Sequence, residues 1–301
     1  MRGVFPPAFW VADPSGDTIT SQHAWLKPAI ATSLILIIAN AVSPIAANWI
    51  AIIFFLFGVP HGAVERTQDR PRFIMPTLAY SALYIVFGIL VFSSWLISPL
   101  GTLVIFFLLS AWHFGQSEPT LRLIGAWVII GSCLIYPVET VGIFALLIEQ
   151  DPPPSYIADA MHVMAIACGL AVFLEFVLRA KAGQMPSVLR LVFLIGIFLI
   201  LPPVPAVAVY FFAFHGLGEF SRTIASVSRA QSDLKPLDVL KLYGPATFPA
   251  MIGAVLILTL TYQGHIPVLI ATGLAVSFII PHMLPVEALL RVDRETTRTS
   301  P

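Results

Sequence analysis

Charged side chains are scarce in this chain of 301 residues, at 11% of the total, where an average soluble domain carries about 25%. With 58% hydrophobic residues, a water-soluble fold of this size would have to expose much of its apolar area. A bilayer removes that problem, because lipid accepts Leu, Ile, Val and Phe as surface. Excess charge of either sign is also missing: 16 basic residues balance 16 acidic ones, so nothing points to nucleic acid. Cysteine is nearly absent. Cys133 and Cys168 lie inside apolar runs and make neither a disulfide framework nor a thiolate metal site. A cleavable signal peptide is not expected, since the first 27 residues hold Pro6, Pro7, Asp13, Pro14 and Asp17. They lack the basic start, apolar core and small-residue cleavage site of such a leader.

Long apolar runs, by contrast, are plentiful. A spanning helix needs about 20 mainly apolar residues. Ten segments approach or exceed this, at 28–43, 45–64, 73–96, 100–117, 122–148, 156–178, 188–202, 204–221, 244–263 and 266–290. Pro44, the run Pro152-Pro153-Pro154 and the stretch Pro202-Pro203-Val204-Pro205 fall at the turns between them, where proline's missing N–H and its clash with the preceding turn end a helix. The expected fold class is all-α: a polytopic integral membrane bundle of about ten transmembrane helices. It forms one domain over 1–301, with a polar segment over 1–27 and a polar tail over 292–301. The longest loop, 222–243, is too short for a separate soluble domain, and there is no obvious repeat.

The basic residues test the span count. Arg2 and Lys27 precede the first segment; Arg66, Arg70 and Arg72 follow the second, and Arg122 the fourth. Arg179, Lys181 and Arg190 follow the sixth, Arg222, Arg229, Lys235 and Lys241 the eighth, and Arg291, Arg294 and Arg298 the tenth. All 16 thus share one side, and the opposite turns at 43–46, 97–99, 149–155, 202–205 and 263–265 hold none. The positive-inside rule makes the basic side cytoplasmic, so both termini are expected inside, in a multi-pass protein of the inner (plasma) membrane.

Four of the seven histidines then fall at one depth. They are His61, His113, His215 and His282, on spans two, four, eight and ten, which all run toward the cytoplasm. The next arginine follows each by five, nine, seven and nine residues. With a rise of about 1.5 Å per residue, these offsets differ by about one helical turn. Each histidine is also followed by a glutamate: Glu65 and Glu219 at i+4, Glu118 and Glu287 at i+5. Ionisable groups inside spans are costly and mark function by default. Neutral imidazole suits Fe, Zn, Cu and Ni, and nearby carboxylates commonly accept a ligand's other ring N–H. The plainer reading is that each histidine is an interfacial polar residue, and that Glu65 and Glu118 pair with Arg66 and Arg122. His23, His162 and His265 lie elsewhere, in the N-terminal segment and toward the far side. Glycines beside three of the four histidines allow close backbone approach.

The segments around these histidines resemble a known family. Gly58-Val59-Pro60-His61-Gly62-Ala63-Val64-Glu65 is similar to its Gly-x-Pro-His-Gly-Ala-x-Asp. Trp112 through Glu118 looks like its His-Phe-Gly-x-x-Asp. Tyr210 through His215 resembles its Tyr-Phe-x-x-x-His, and Pro281-His282 through Glu287 its Pro-His-x-x-x-x-Asp. The family is the bacterial and archaeal β-carotene 15,15′-dioxygenases, Brp/Blh-type membrane proteins associated with retinal supply to microbial rhodopsins. The resemblance covers about residues 45 to 291. It implies an iron(II) enzyme that splits the central double bond of β-carotene, or a related carotenoid, with O2 to give retinal. By the same analogy His61, His113 and His215 would bind iron. The family pattern has a further histidine four residues after the position of His215; here Glu219 stands there, and the motif aspartates are glutamates too. The metal set therefore draws on His61, His113, His215, His282 and Glu219, with Glu65, Glu118 and Glu287 behind the ligands. Either Glu219 ligates through oxygen, or His282 completes four histidines, or this member has diverged in substrate or activity.

Two other classes fit parts of the pattern. A transporter or proton relay would use intramembrane His and Glu, but would spread them across the membrane depth, and here they crowd the inner end apart from Glu139. A haem protein would pair axial histidines and show a Soret band. The partners expected are the apolar carotenoid, O2 and the lipid bilayer, with a functional link to a retinal-binding rhodopsin and none to nucleic acid.

Overall fold

Proline positions and apolar length set the element boundaries. The computed structural model describes residues 25–58, 77–117, 123–151, 154–218 and 236–283, and all regular structure among them is helical. In order these are α1 Leu26–Val42, α2 Pro44–Gly58, α3 Thr77–Ile97, α4 Pro99–Ser117, α5 Ile124–Ile130 with a 3₁₀ turn Gly131–Leu134, and α6 Pro137–Leu147. They continue with α7 Ser155–Lys181, α8 Met185–Ile200, α9 Pro203–Val209 running into a π-helix Tyr210–Gly216, α10 Pro236–Tyr262 and α11 Val268–Met283. Ser43 shows how the turns form. It precedes Pro44, which disfavours the helical region, and it sits extended at φ −160° and ψ 118°. Pro137 and Pro203 start α6 and α9 in the same way, where a missing N–H costs nothing.

The helices follow the expected apolar segments, with two differences. The segment expected as one helix over 122–148 is two, bent by 111°. The cause is the Tyr136-Pro137 step: Tyr136 leaves the helical region at φ −123° and ψ 54° ahead of the proline. The second difference lies in the loop expected over 222–243, where α10 already begins at Pro236. By length and composition, Pro99–Gln116 and Ser155–Lys181 can cross a membrane, and the bent pair makes a third candidate if it counts as one span. Among the described residues, the other apolar helical stretches run over 10–17 residues, including Ala82–Ile97 within α3 and Thr247–Tyr262 within α10. Large apolar side chains face outward along the bundle, among them Leu34, Ile38, Leu108, Leu170 and Phe173. Exposed apolar surface on this scale suits a lipid surround, not water.

Among the described residues, two apolar cores hold the bundle. One gathers Leu36, Ala51, Ile124, Trp127, Leu194, Phe198, Val209 and Phe214 from α1, α2, α5, α8 and α9 with its π extension. The other gathers Trp95, Leu103, Ile148, Val276, Ile280 and Met283 from α3, α4, α11 and the end of α6. Polar side chains also tie α3 to α11, one at the second core and one at its exposed edge. The Trp95 indole N–H donates to the Leu269 carbonyl at 2.8 Å, and the Tyr84 hydroxyl donates to that of Phe278. Each such bond contributes about 1 kcal/mol net. Phe114 of α4 packs against the first core, while Leu103, Phe106, Phe107 and Leu109 of the same helix belong to the second. The C-terminal end of α4 is therefore the seam between the two.

Candidate metal and substrate site

Three histidines meet at that seam. His113 comes from α4, His215 from the π-helix and His282 from the last turn of α11. The His113 and His215 rings are 5.1 Å apart between centroids at 77°, and the His113 and His282 rings 5.5 Å apart at 68°. His215 is fully buried, and His113 and His282 are half-buried. Residues 67 to 169 positions apart have been brought to one place by three different elements.

Each element reaches this point for a local reason. α4 keeps His113 close to α5 because residue 125 is glycine. A Cβ there would lie 2.7 Å from the Gly115 nitrogen and 2.9 Å from the Ala111 carbonyl carbon, with the Ala111 oxygen closer still. The helix turn that carries His113 thus rests directly on the α5 backbone. His215 is held by the π-helix, a rare winding found mostly as single turns and frequently at functional sites. There the Tyr210 ring stacks near-parallel with Phe214 (6.3 Å, 11°) and with His215 (6.3 Å, 15°). Phe114 meets Tyr210 and His215 edge-on at 5.2 and 5.0 Å. On α11, Met283 beside His282 receives a contact from the buried Ser110 hydroxyl at 3.5 Å, which ties the helix end to α4.

The fourth expected histidine, His61, lies outside the described residues, as do Glu65, Glu118, Glu219 and Glu287. The helix that leads to His61 does reach the site. A Cβ on Gly216 would lie 3.2 Å from the Gly58 Cα and 3.5 Å from its carbonyl oxygen, so α2 and the π-helix touch backbone to backbone one residue from His215. The other described histidines take different places. His162 Nδ1 lies 3.0 Å from the Cys133 carbonyl oxygen, at the break between α5 and α6. His265 is exposed in the turn between α10 and α11. Glu175 pairs with Arg179 at 3.2 Å.

The donor chemistry fits a metal. Imidazole nitrogens sit about 2.0–2.1 Å from an ion, which puts the ring centres of two ligands on one ion about 5 Å apart. Both histidine pairs have that separation. Among the described residues no three His, Cys, Asp or Glu side chains close a metal site by themselves, so the pairs are in place without a complete triad. Nearby charge comes from Arg190 of α8, whose guanidinium lies 5.3 Å from the Phe214 ring centre and 5.8 Å from that of Trp25. As residues of this site, Gly125, Arg190 and Phe211 are not marked by the histidine pattern of the sequence. Gly125 carried one usable signal: it is a glycine inside an apolar helical run, which often marks close packing.

The fold and this histidine cluster define an all-helical, membrane-type protein with a candidate metal centre in an aromatic setting. A family model described as β-carotene 15,15′-dioxygenase matches residues 52–290, and the chain belongs to that family. No curated protein and no solved structure matches. Membership brings a carotenoid dioxygenase-type function at the level of the family, and all three clustered histidines fall within the matched region.

Proposed function

We propose that the protein is an iron(II)-dependent oxygenase that splits the central double bond of β-carotene, or of a closely related carotenoid, with O2 to give retinal. The observation that carries this reading is the meeting of His113, His215 and His282 among aromatic rings in a chain of this family. By the family pattern His61, His113 and His215 would hold the iron, and either His282 or, through oxygen, Glu219 would complete the set. Iron, when bound, supplies the activation of O2 that a closed-shell alkene needs. The balance is simple: one O2 and one C=C become two C=O groups, so β-carotene gives two retinals with no other co-reactant.

The chain's own residues do the rest. Phe114 and Tyr210 surround the imidazoles with apolar faces, which favours a polyene and disfavours water. The stacking on Tyr210 restricts the tilt of the His215 ring, and Gly125 keeps the His113 turn at contact distance from α5. Glu65, Glu118 and Glu287 would accept ring N–H groups and set the tautomers. An all-apolar substrate reaches such a site through the bilayer. This agrees with ten spans, both termini inside and an inner-membrane location, and with delivery of retinal to a membrane rhodopsin.

The test is expression in bacteria that make β-carotene. Loss of orange colour with retinal in the extract is expected. Folded protein with persistent colour and no retinal would refute the proposal.

A further inference from the structure

Pro281 stands inside α11, one residue before His282. Proline has no N–H to give the Ser277 carbonyl one turn back, and its ring crowds that oxygen. In a membrane-type bundle a carbonyl freed in this way must be covered by a neighbouring helix, since lipid offers it no donor. The Ser277 hydroxyl is engaged elsewhere, donating to the Leu274 carbonyl at 2.7 Å. α3 supplies the cover. A Cβ on Gly88 would stand 3.2 Å from the Ser277 oxygen, so the α3 backbone lies directly against it. One turn earlier on the same face of α3, the Tyr84 hydroxyl donates to the Phe278 carbonyl. In regular winding that carbonyl is the acceptor for the His282 N–H. Tyr84 and Gly88 thus meet the two consecutive carbonyls that lie one turn before Pro281 and His282.

We infer that Tyr84 is a positioning residue for His282: its hydroxyl, with Gly88 beside it, fixes the proline-weakened end of α11 against α3 and so sets where the His282 ring stands, 5.5 Å from that of His113. This rests on the metal reading of the histidine cluster and deepens it. It makes His282 the residue that completes the metal set, and it gives α3, which carries no histidine, a part in the site. Trp95 serves as an internal control. It lies on the same helix and also donates to an α11 carbonyl, but to that of Leu269 at 2.8 Å, 13 residues before His282.

Purified full-length protein in lipid nanodiscs, stripped of metal, is titrated with Co(II), whose visible d–d bands report the geometry of its ligands. Tyr84→Phe keeps the ring and loses only the hydroxyl. It is expected to shift the d–d bands and to weaken Co(II) binding by about threefold to tenfold, below the about 10–100-fold lost with a partner bonded directly to a ligand, because Tyr84 acts through the backbone. Trp95→Phe loses a bond between the same two helices, and stability with it, but keeps the wild-type affinity and bands. In a His282→Ala background Tyr84→Phe brings no further loss, as expected of two groups acting through one contact. The inference is overturned if folded Tyr84→Phe protein keeps the wild-type affinity and bands, if Trp95→Phe changes them equally, or if Tyr84→Phe loses as much in His282→Ala as in the wild type. Failure of the oxygenase reading shows separately, as wild-type protein that binds Co(II) and responds to Tyr84→Phe but yields no retinal from β-carotene when iron and O2 are supplied.

Discussion

Replacing Gly125 by alanine adds one methyl group at the point where α5 supports the His113 turn. The new Cβ would stand 2.7 Å from the Gly115 nitrogen and 2.9 Å from the Ala111 carbonyl carbon. Both neighbours are helix backbone, so no side chain can swing aside. Restoring ordinary contact requires α4 and α5 to part by about 1 Å, and overpacking of this kind costs about 1–3 kcal/mol. The displaced turn carries His113, whose ring meets those of both His215 and His282. A misplacement of about 1 Å at reacting groups can cost about 100-fold in rate. Gly125→Ala should therefore lose about two orders of magnitude in retinal formation per folded molecule and unfold at lower temperature. Gly142→Ala is the matched control, because a Cβ there meets nothing within 4 Å. It should be neutral or stabilising by up to about 1 kcal/mol, as expected when a helical glycine gains a methyl group. Full activity and an unchanged melting temperature in Gly125→Ala would refute the reasoning.

Other substitutions read other contacts. Trp95→Phe keeps most of the packing between α3 and α11 but loses the 2.8 Å bond to Leu269, and should cost about 1 kcal/mol in thermal stability; Trp95→Ala should cost about 3–5 kcal/mol. His162→Ala removes the imidazole that contacts the Cys133 carbonyl at the helix break. It should lower stability by about 1 kcal/mol while leaving metal content per protein at the wild-type level, and lost metal would show that His162 belongs to the site. Arg190→Gln removes the cation over Phe214 and Trp25. It should destabilise by about 1 kcal/mol, seen as a lower melting temperature in detergent, and an unchanged value would count against the contact.

Much of the fold was legible because apolar length, proline and helix periodicity are local. Ser43-Pro44 and Pro202-Pro203 marked real boundaries, and the start of α7 follows the proline run. The bend at Tyr136-Pro137 escaped notice because a single proline in an apolar run is compatible with a kinked span or with two helices. The convergence of His113, His215 and His282 was foreshadowed by depth alone, since their distances to the next arginine placed them in one layer. What depth cannot supply is rotation about the helix axis. The π winding of Tyr210–Gly216 changes that rotation for His215, and no simple sequence pattern announces it. Gly58 against Phe211 and Gly125 against the His113 turn are contacts between distant segments, invisible until the helices are packed.

The central claim is that the clustered histidines hold the metal on which the chemistry depends. Elemental analysis of purified wild-type protein beside His113→Ala tests it most directly, with His162→Ala as the histidine control. The account predicts iron in the wild type and in His162→Ala, and its loss from folded His113→Ala. Iron retained undiminished in His113→Ala, or a wild type that binds zinc and no iron, would contradict it.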